Sequence, residues 1–275
     1  MVLYNAHAAS VFGDTVSSEH DTHTEPVKLM QLPGTPSLFF LFYILLLLPW
    51  MAIRSAKRVR EISQESSTKP LPDREAIWIG TILNLAAMLF AAWIIGNSFG
   101  FEPFGGVSSI DIKDVLAAAA TLGVCFILRA MTRALRTDEE RRRMVVFRIA
   151  PSSPREWALW TLTVLFAGVS EEVAYRGAAM SILWYSLRNP WLAAFICAVA
   201  FAVAHWSQGV KSGVVIFAIA LAMHALVAIT GTLVLAMIVH ATYDFVAGYL
   251  IAKEARRFDL EAPCSQCGPR PFPLA

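Results

Sequence analysis

Charge is scarce in this chain. Only 16% of its 275 residues are Asp, Glu, Lys or Arg, against about 25% in an average soluble domain. A net charge of +2 offers no polyanion-binding surplus. The arginine runs are flanked by apolar stretches, with no basic groove interleaved with aromatics, so nucleic acid is excluded as a partner. Cysteine is equally sparse. Cys125 and Cys197 fall inside apolar stretches and read as small buried hydrophobes. Cys264 and Cys267 form a C-x-x-C in a Pro-rich tail, which supplies only two of the four ligands a structural zinc wants. A basic start running straight into an apolar stretch is also missing, so no signal peptide is expected. The segment to about Leu32 is polar, with Asp14, Glu19, Asp21 and Glu25 against Lys28. His7, His20 and His23 lie in it and read as solvated. The C-terminus carries no prenylation box.

What the chain has instead is apolar length. Hydrophobic residues make up 56% of it, and they come in blocks that match the ~20 residues needed to cross ~30 Å of hydrocarbon. Seven such spans are predicted, near 37–53, 76–99, 115–131, 157–187, 190–206, 212–230 and 231–252. Backbone polar groups in lipid must be satisfied within the segment or by barrel closure. These segments are too long and too uniformly apolar for barrel strands. The expected fold is therefore all-α, a polytopic transmembrane helical bundle. Eighteen of the 23 Lys and Arg fall in alternate loops on one side and three on the other. That split predicts the N-terminus outside and the C-terminus cytoplasmic. The chain divides into a polar tail (1–35), N-terminal spans with basic loops (36–156), a helical core (157–252) and a Pro/Cys tail (253–275). The loop 132–156 reads as a solvated topogenic segment, with a short interfacial helix over Asp138–Arg143 as the alternative.

Ionisable side chains inside lipid cost a few kcal/mol each and mark function by default. The fourth span holds three together in Ser170-Glu171-Glu172-Val173-Ala174-Tyr175-Arg176. Glu172 and Arg176 are i, i+4 with the acid first, the favourable order, so they read as a structural ion pair. Glu171 points about 100° away and has no equal partner in its own helix. It is the free carboxylate, suited to general-base work. A charge network that only fixes helix packing is the plainer alternative. Two further helices weigh against it. The fifth span ends Phe201-x-x-x-His205, and the seventh holds His240-x-x-x-Asp244, whose two side chains share a face. Asp244 can then orient the imidazole or share a water or metal. His224, alone in the sixth span, reads as structural. Ala174 and Ala178, with Gly177 between them, allow close approach to the fourth span.

These three motifs, Glu171-Glu172-x-x-x-Arg176, Phe201-x-x-x-His205 and His240-x-x-x-Asp244, resemble in order and spacing those of the CPBP family. That family includes type II CAAX prenyl proteases and bacterial proteins linked to bacteriocin immunity. The resemblance covers about Trp157 to Ala252, with Thr230-Gly231 also in keeping. Many members carry Asn at the last motif position, where Asp244 here adds a negative charge. The resemblance implies peptide-bond hydrolysis within the membrane. Glu171 and His205 would activate a water, and His240 with Asp244 would stabilise the oxyanion or hold a metal. Two His and a Glu suit zinc with an open position, so Glu171, His205 and His240 are also candidate ligands. Partners are then the lipid bilayer and a membrane-embedded or membrane-associated peptide or protein substrate, with a bacterial inner membrane as the expected location. A catalytically silent scaffold or immunity protein is the first alternative and a transporter the second, though no inverted repeat is visible. Depth poses a question. Glu171 and His240 lie well inside their spans, whereas His205 is near the end of its own. Convergence requires the fifth span to tilt or to stop below the surface, with Ser207–Lys211 re-entrant, or the fourth span to begin later than drawn.

Overall fold

The structure, a computed structural model, describes residues 33–64, 73–99, 102–142 and 144–258. The histidines of the N-terminal segment and the Cys264/Cys267 pair lie outside them. Among the described residues there are helices and turns and no strand. Helix α1 (Thr35–Phe42) passes through a π-helical turn at Tyr43–Leu47 into α2 (Leu48–Gln64). Then follow α3 (Arg74–Asn97), α4 (Ile112–Ala134), the short α5 (Asp138–Arg142) and α6 (Val145–Arg148), and α7 (Pro154–Glu171). A π-helical stretch over Glu172–Ala179 joins α7 to α8 (Met180–Leu187). The order ends with α9 (Pro190–Ala204), α10 (Val210–Thr230) and α11 (Leu233–Arg257).

Caps punctuate these helices where the sequence supplies them. Asp111 and Ser153 each close a capping box, with Asp114 and Glu156 respectively. Asn189 and Thr232 accept backbone N–H bonds at the starts of α9 and α11. Gly231, at φ 64°, ends α10 in the left-handed conformation that glycine takes without a Cβ penalty.

Five of the seven expected spans are helices long and apolar enough to cross a bilayer by length and composition: Thr35–Lys57, Arg74–Asn97, Ile112–Ala134, Val210–Thr230 and Leu233–Arg257. Of the other two, the run 154–187 carries Glu171, Glu172 and Arg176, and Pro190–Ala204 is shorter. Phe39, Phe90, Trp191 and Ile229 are exposed on the outside of the bundle, where a bilayer would meet them. Its centre is lined with small residues: Ala174, Ala178, Ala193, Ala198 and Ala236 are fully buried. Without a hydrophobic drive between helices in lipid, such residues let backbones approach and gain dispersion contact.

Two glycines set the closeness of α7 to α11. A Cβ at Gly168 would sit 3.0 Å from Ala241 Cβ and 3.1 Å from the Met237 carbonyl oxygen. A Cβ at Gly248 would overlap the indole of Trp160, which in turn packs edge-on against Trp78 of α3 at 5.1 Å between centroids. Gly248→Ala is therefore expected to destabilise the protein by about 1–3 kcal/mol, the usual cost of overpacking. A drop in the thermal midpoint of the detergent-solubilised protein is the check. An unchanged midpoint would mean that Trp160 is not held against this helix.

The depth question resolves through α9. Helix α7 begins earlier than expected, at Pro154, while α9 stops at Ala204. A 3-10 turn at Trp206–Gln208 and Gly209, at φ 84°, then reverse the chain into α10. The loop after α4 is not simply solvated. It folds back under this reversal and against the end of α11. Arg136 donates to Ser212 Oγ (2.8 Å) and to the Gln208 carbonyl (3.3 Å), and Lys211 Nζ meets Glu140 at 2.9 Å. Phe147, Ala150, Ala252, Ala255 and Phe258 make a small second core. The apolar run around Met144–Ile149 gives this segment surface to bury, which its neighbouring charges obscure in the sequence.

Candidate active site

The π-helical stretch begins at Glu172, inside the bundle. Such wide turns are frequent at functional sites. Glu172 and Arg176 form the expected ion pair, Nη1 to Oε1 at 3.1 Å, with side-chain exposures of 0% and 1%. Arg176 also donates to the Ala220 carbonyl of α10 (3.4 Å) and lies 4.5 Å over the Phe201 ring. One cation thus ties α10, the π-helical stretch and α9 together.

His240 sits among three carboxylates. Its Nδ1 donates to Glu172 Oε1 at 2.7 Å. Its Nε2 faces Asp244 Oδ2 at 3.4 Å and Glu171 Oε2 at 3.6 Å. Glu172 is therefore more than a helix-internal partner for Arg176. The 100° between the two glutamates sends them to opposite nitrogens of the same ring. Asp244 does stand beside His240, but the short bond that fixes the ring comes from Glu172.

His205 Nδ1 lies 2.8 Å from the Phe201 carbonyl. A carbonyl only accepts, so Nδ1 carries the proton, and in the neutral ring Nε2 keeps its lone pair. The Phe201 ring touches both histidines, at 4.6 Å from His205 and 6.1 Å from His240, and Tyr175 abuts its edge. Glu171, Glu172, Arg176, His205, His240 and Asp244 all line one cavity of about 390 Å³. All the candidate residues read from the three motifs are thus brought together. His224 is buried on α10 and is not part of the lining. Among the described residues no three His, Cys, Asp or Glu side chains are grouped closely enough to hold an ion.

Arg129, Arg133 and Arg136 also line the cavity. In sequence Arg129 reads as a charge at a span end, and Arg133 and Arg136 as topogenic charges of the following loop. Their spacing puts Arg129 and Arg133 on one face of α4, whereas Arg136 follows the end of that helix at Ala134.

Fold and site together define an all-helical integral membrane protein with an acid–imidazole cluster at the inner end of a cavity. Residues 153–246 match the family model described as type II CAAX prenyl endopeptidase Rce1-like, and this segment, which contains every motif residue, carries a domain of that protease family. No curated protein and no solved structure matches the chain.

Proposed function

We propose that this protein is an intramembrane endopeptidase that hydrolyses a peptide bond of a membrane-associated protein or peptide with a Glu/His-activated water. The observation that supports this most is the convergence of Glu171, His205 and His240 from three helices on one cavity. Cys125, Ser207 and Ser212 line the same cavity, but among the described residues none is hydrogen-bonded to either imidazole or to Glu171, which favours direct attack by water. Glu171 takes one proton of that water as its oxygen bonds to the scissile carbonyl carbon, and His205 Nε2 accepts a hydrogen bond from the other O–H. In its doubly protonated form His240 gives a hydrogen bond from its Nε2–H to the developing oxyanion, the proton staying on the ring, while Glu172 holds the ring at Nδ1. Glu171 then returns its proton to the leaving nitrogen as the C–N bond breaks. General acid–base assistance of this kind contributes about 10²–10⁴-fold.

The expected setting is a bacterial inner membrane with the mouth of the cavity on the cytoplasmic side. Comparative proteomics of cells carrying the wild type or Glu171→Ala is the test, with full-length substrates expected to accumulate in the variant. An unchanged proteome together with normal amounts of protein would favour a silent scaffold that holds peptides without cutting them. Cleavage is also expected to survive dialysis against a zinc chelator. A loss reversed by added zinc would instead assign Glu171, His205 and His240 as ligands.

A further inference from the structure

The cavity is electrically lopsided. At its inner end Glu171, Glu172 and Asp244 stand with Arg176 and the two imidazoles. Toward the other end four guanidinium groups, those of Arg129, Arg133, Arg136 and Arg141, line it together with the single carboxylate of Glu254. Glu254 is already taken by Arg141 at 2.7 Å and Arg133 at 3.4 Å, and Arg141 also pairs with Asp138. Arg129 reaches only the Ala247 carbonyl, at a long 3.4 Å. Arg136 holds Ser212, the Gln208 carbonyl and the Met144 sulfur. Among the described residues neither Arg129 nor Arg136 has a carboxylate within ion-pair distance. Both are half-buried, and both lie outside the segment matched by the protease family. Arg129 lies in the last turns of α4, and Arg136 lies just past the end of that helix at Ala134.

We propose that Arg129 and Arg136 form an anion subsite that takes a carboxylate of the bound peptide. This rests on the peptidase reading and adds a polarity to it. The carboxylate lies at the arginine end, and the scissile bond lies at Glu171 and His205. Guanidinium suits the task because it stays charged and binds carboxylate through a planar fork. Half-burial keeps the interaction from being screened as fully as on an open surface. The carboxylate has two sources, an acidic side chain or the C-terminus of the peptide.

The test is binding by the full chain carrying Glu171→Gln, which leaves peptides whole, in nanodiscs of zwitterionic lipid. Three labelled apolar peptides are compared by fluorescence anisotropy. One ends in two glutamates with an amidated terminus, one has glutamines there and is amidated, and one has glutamines and a free terminal carboxylate. One or both carboxylate peptides should bind roughly tenfold tighter than the neutral one, or about 1.4 kcal/mol, with the advantage shrinking as salt rises. Which peptide gains identifies the source. Arg129→Gln with Arg136→Gln should remove the preference, and Arg129→Lys should retain most of it. Unchanged binding of the neutral peptide shows that the double variant is folded, and the single variants stand in if the double is unstable. Equal binding of all three peptides would overturn the subsite, as would a preference that survives the double variant. Failure of the unmodified protein to cut any of them bears on the peptidase reading alone.

Discussion

Arg176→Ala is expected to lose about 3–5 kcal/mol of stability, because removing one partner of a buried ion pair strands the other charge. Glu172 is fully buried, and its Oε1 is shared between Arg176 and His240. Without the guanidinium it would keep one imidazole and no permanent cation. The Phe201 ring would lose the cation stacked on it, and the Ala220 carbonyl would lose its side-chain donor. Most of the variant should therefore fail to survive extraction as monodisperse protein, as read by size exclusion of a fluorescent fusion. Arg176→Lys keeps the charge but not the fork, so it should fall between. Glu171→Ala should accumulate normally or nearly so, since Glu171 makes one long contact at 3.6 Å and remains 16% exposed. Equal losses in Arg176→Ala and Glu171→Ala would mean that Glu171 is part of the scaffold.

This contrast was partly legible in the sequence, for a local reason. The spacing of Glu172 and Arg176 fixes their pairing within one helix. The i, i+4 spacing of Phe201 with His205 and of His240 with Asp244 likewise puts each pair on one face before any packing is known. The hydrophobic blocks also placed the long apolar helices, although the first runs on to Gln64, well past the block that ends near Ile53, and the two short helices between Asp138 and Arg148 correspond to no block. What spacing cannot give is the rotation of one helix against another. The bond between Glu172 and His240 joins residues 68 apart in sequence and depends on how α11 turns toward the π-helical stretch. The glycines at 168 and 248 look like any small residues in an apolar run. Their importance comes from Ala241 and Trp160, which a one-dimensional reading does not bring opposite them. The charges of the loop after α4 suggest water, and residues 137–140 are exposed, but the structure also pairs Arg141 with Glu254, Arg136 with Ser212 and Glu140 with Lys211 and buries Phe147 behind them.

Glu171→Gln is expected to slow peptide cleavage by about 10²–10⁴, the contribution of a positioned general base. The amide keeps the size of the carboxylate and much of its hydrogen bonding but cannot accept the proton of the attacking water. Folding should be little changed, so the loss should fall on the chemical step and leave peptide binding near normal. His205→Ala should also be slow, since it removes the Nε2 lone pair that orients the same water. Glu172→Gln should affect stability as well as rate, because it weakens the bonds to Arg176 and His240 together, and this distinguishes the two adjacent glutamates.

The central claim is that Glu171 and His205 act on one water, and the most direct measurement is the rate of a double mutant cycle. Wild type, Glu171→Gln, His205→Ala and the double variant are reconstituted in lipid and compared on one cleavable peptide. Groups that work as a unit are strongly non-additive, because losing either one already removes the assisted pathway. The double variant is expected to be no slower than the slower single variant. Full activity in Glu171→Gln, or losses that simply multiply in the double variant, would contradict the mechanism.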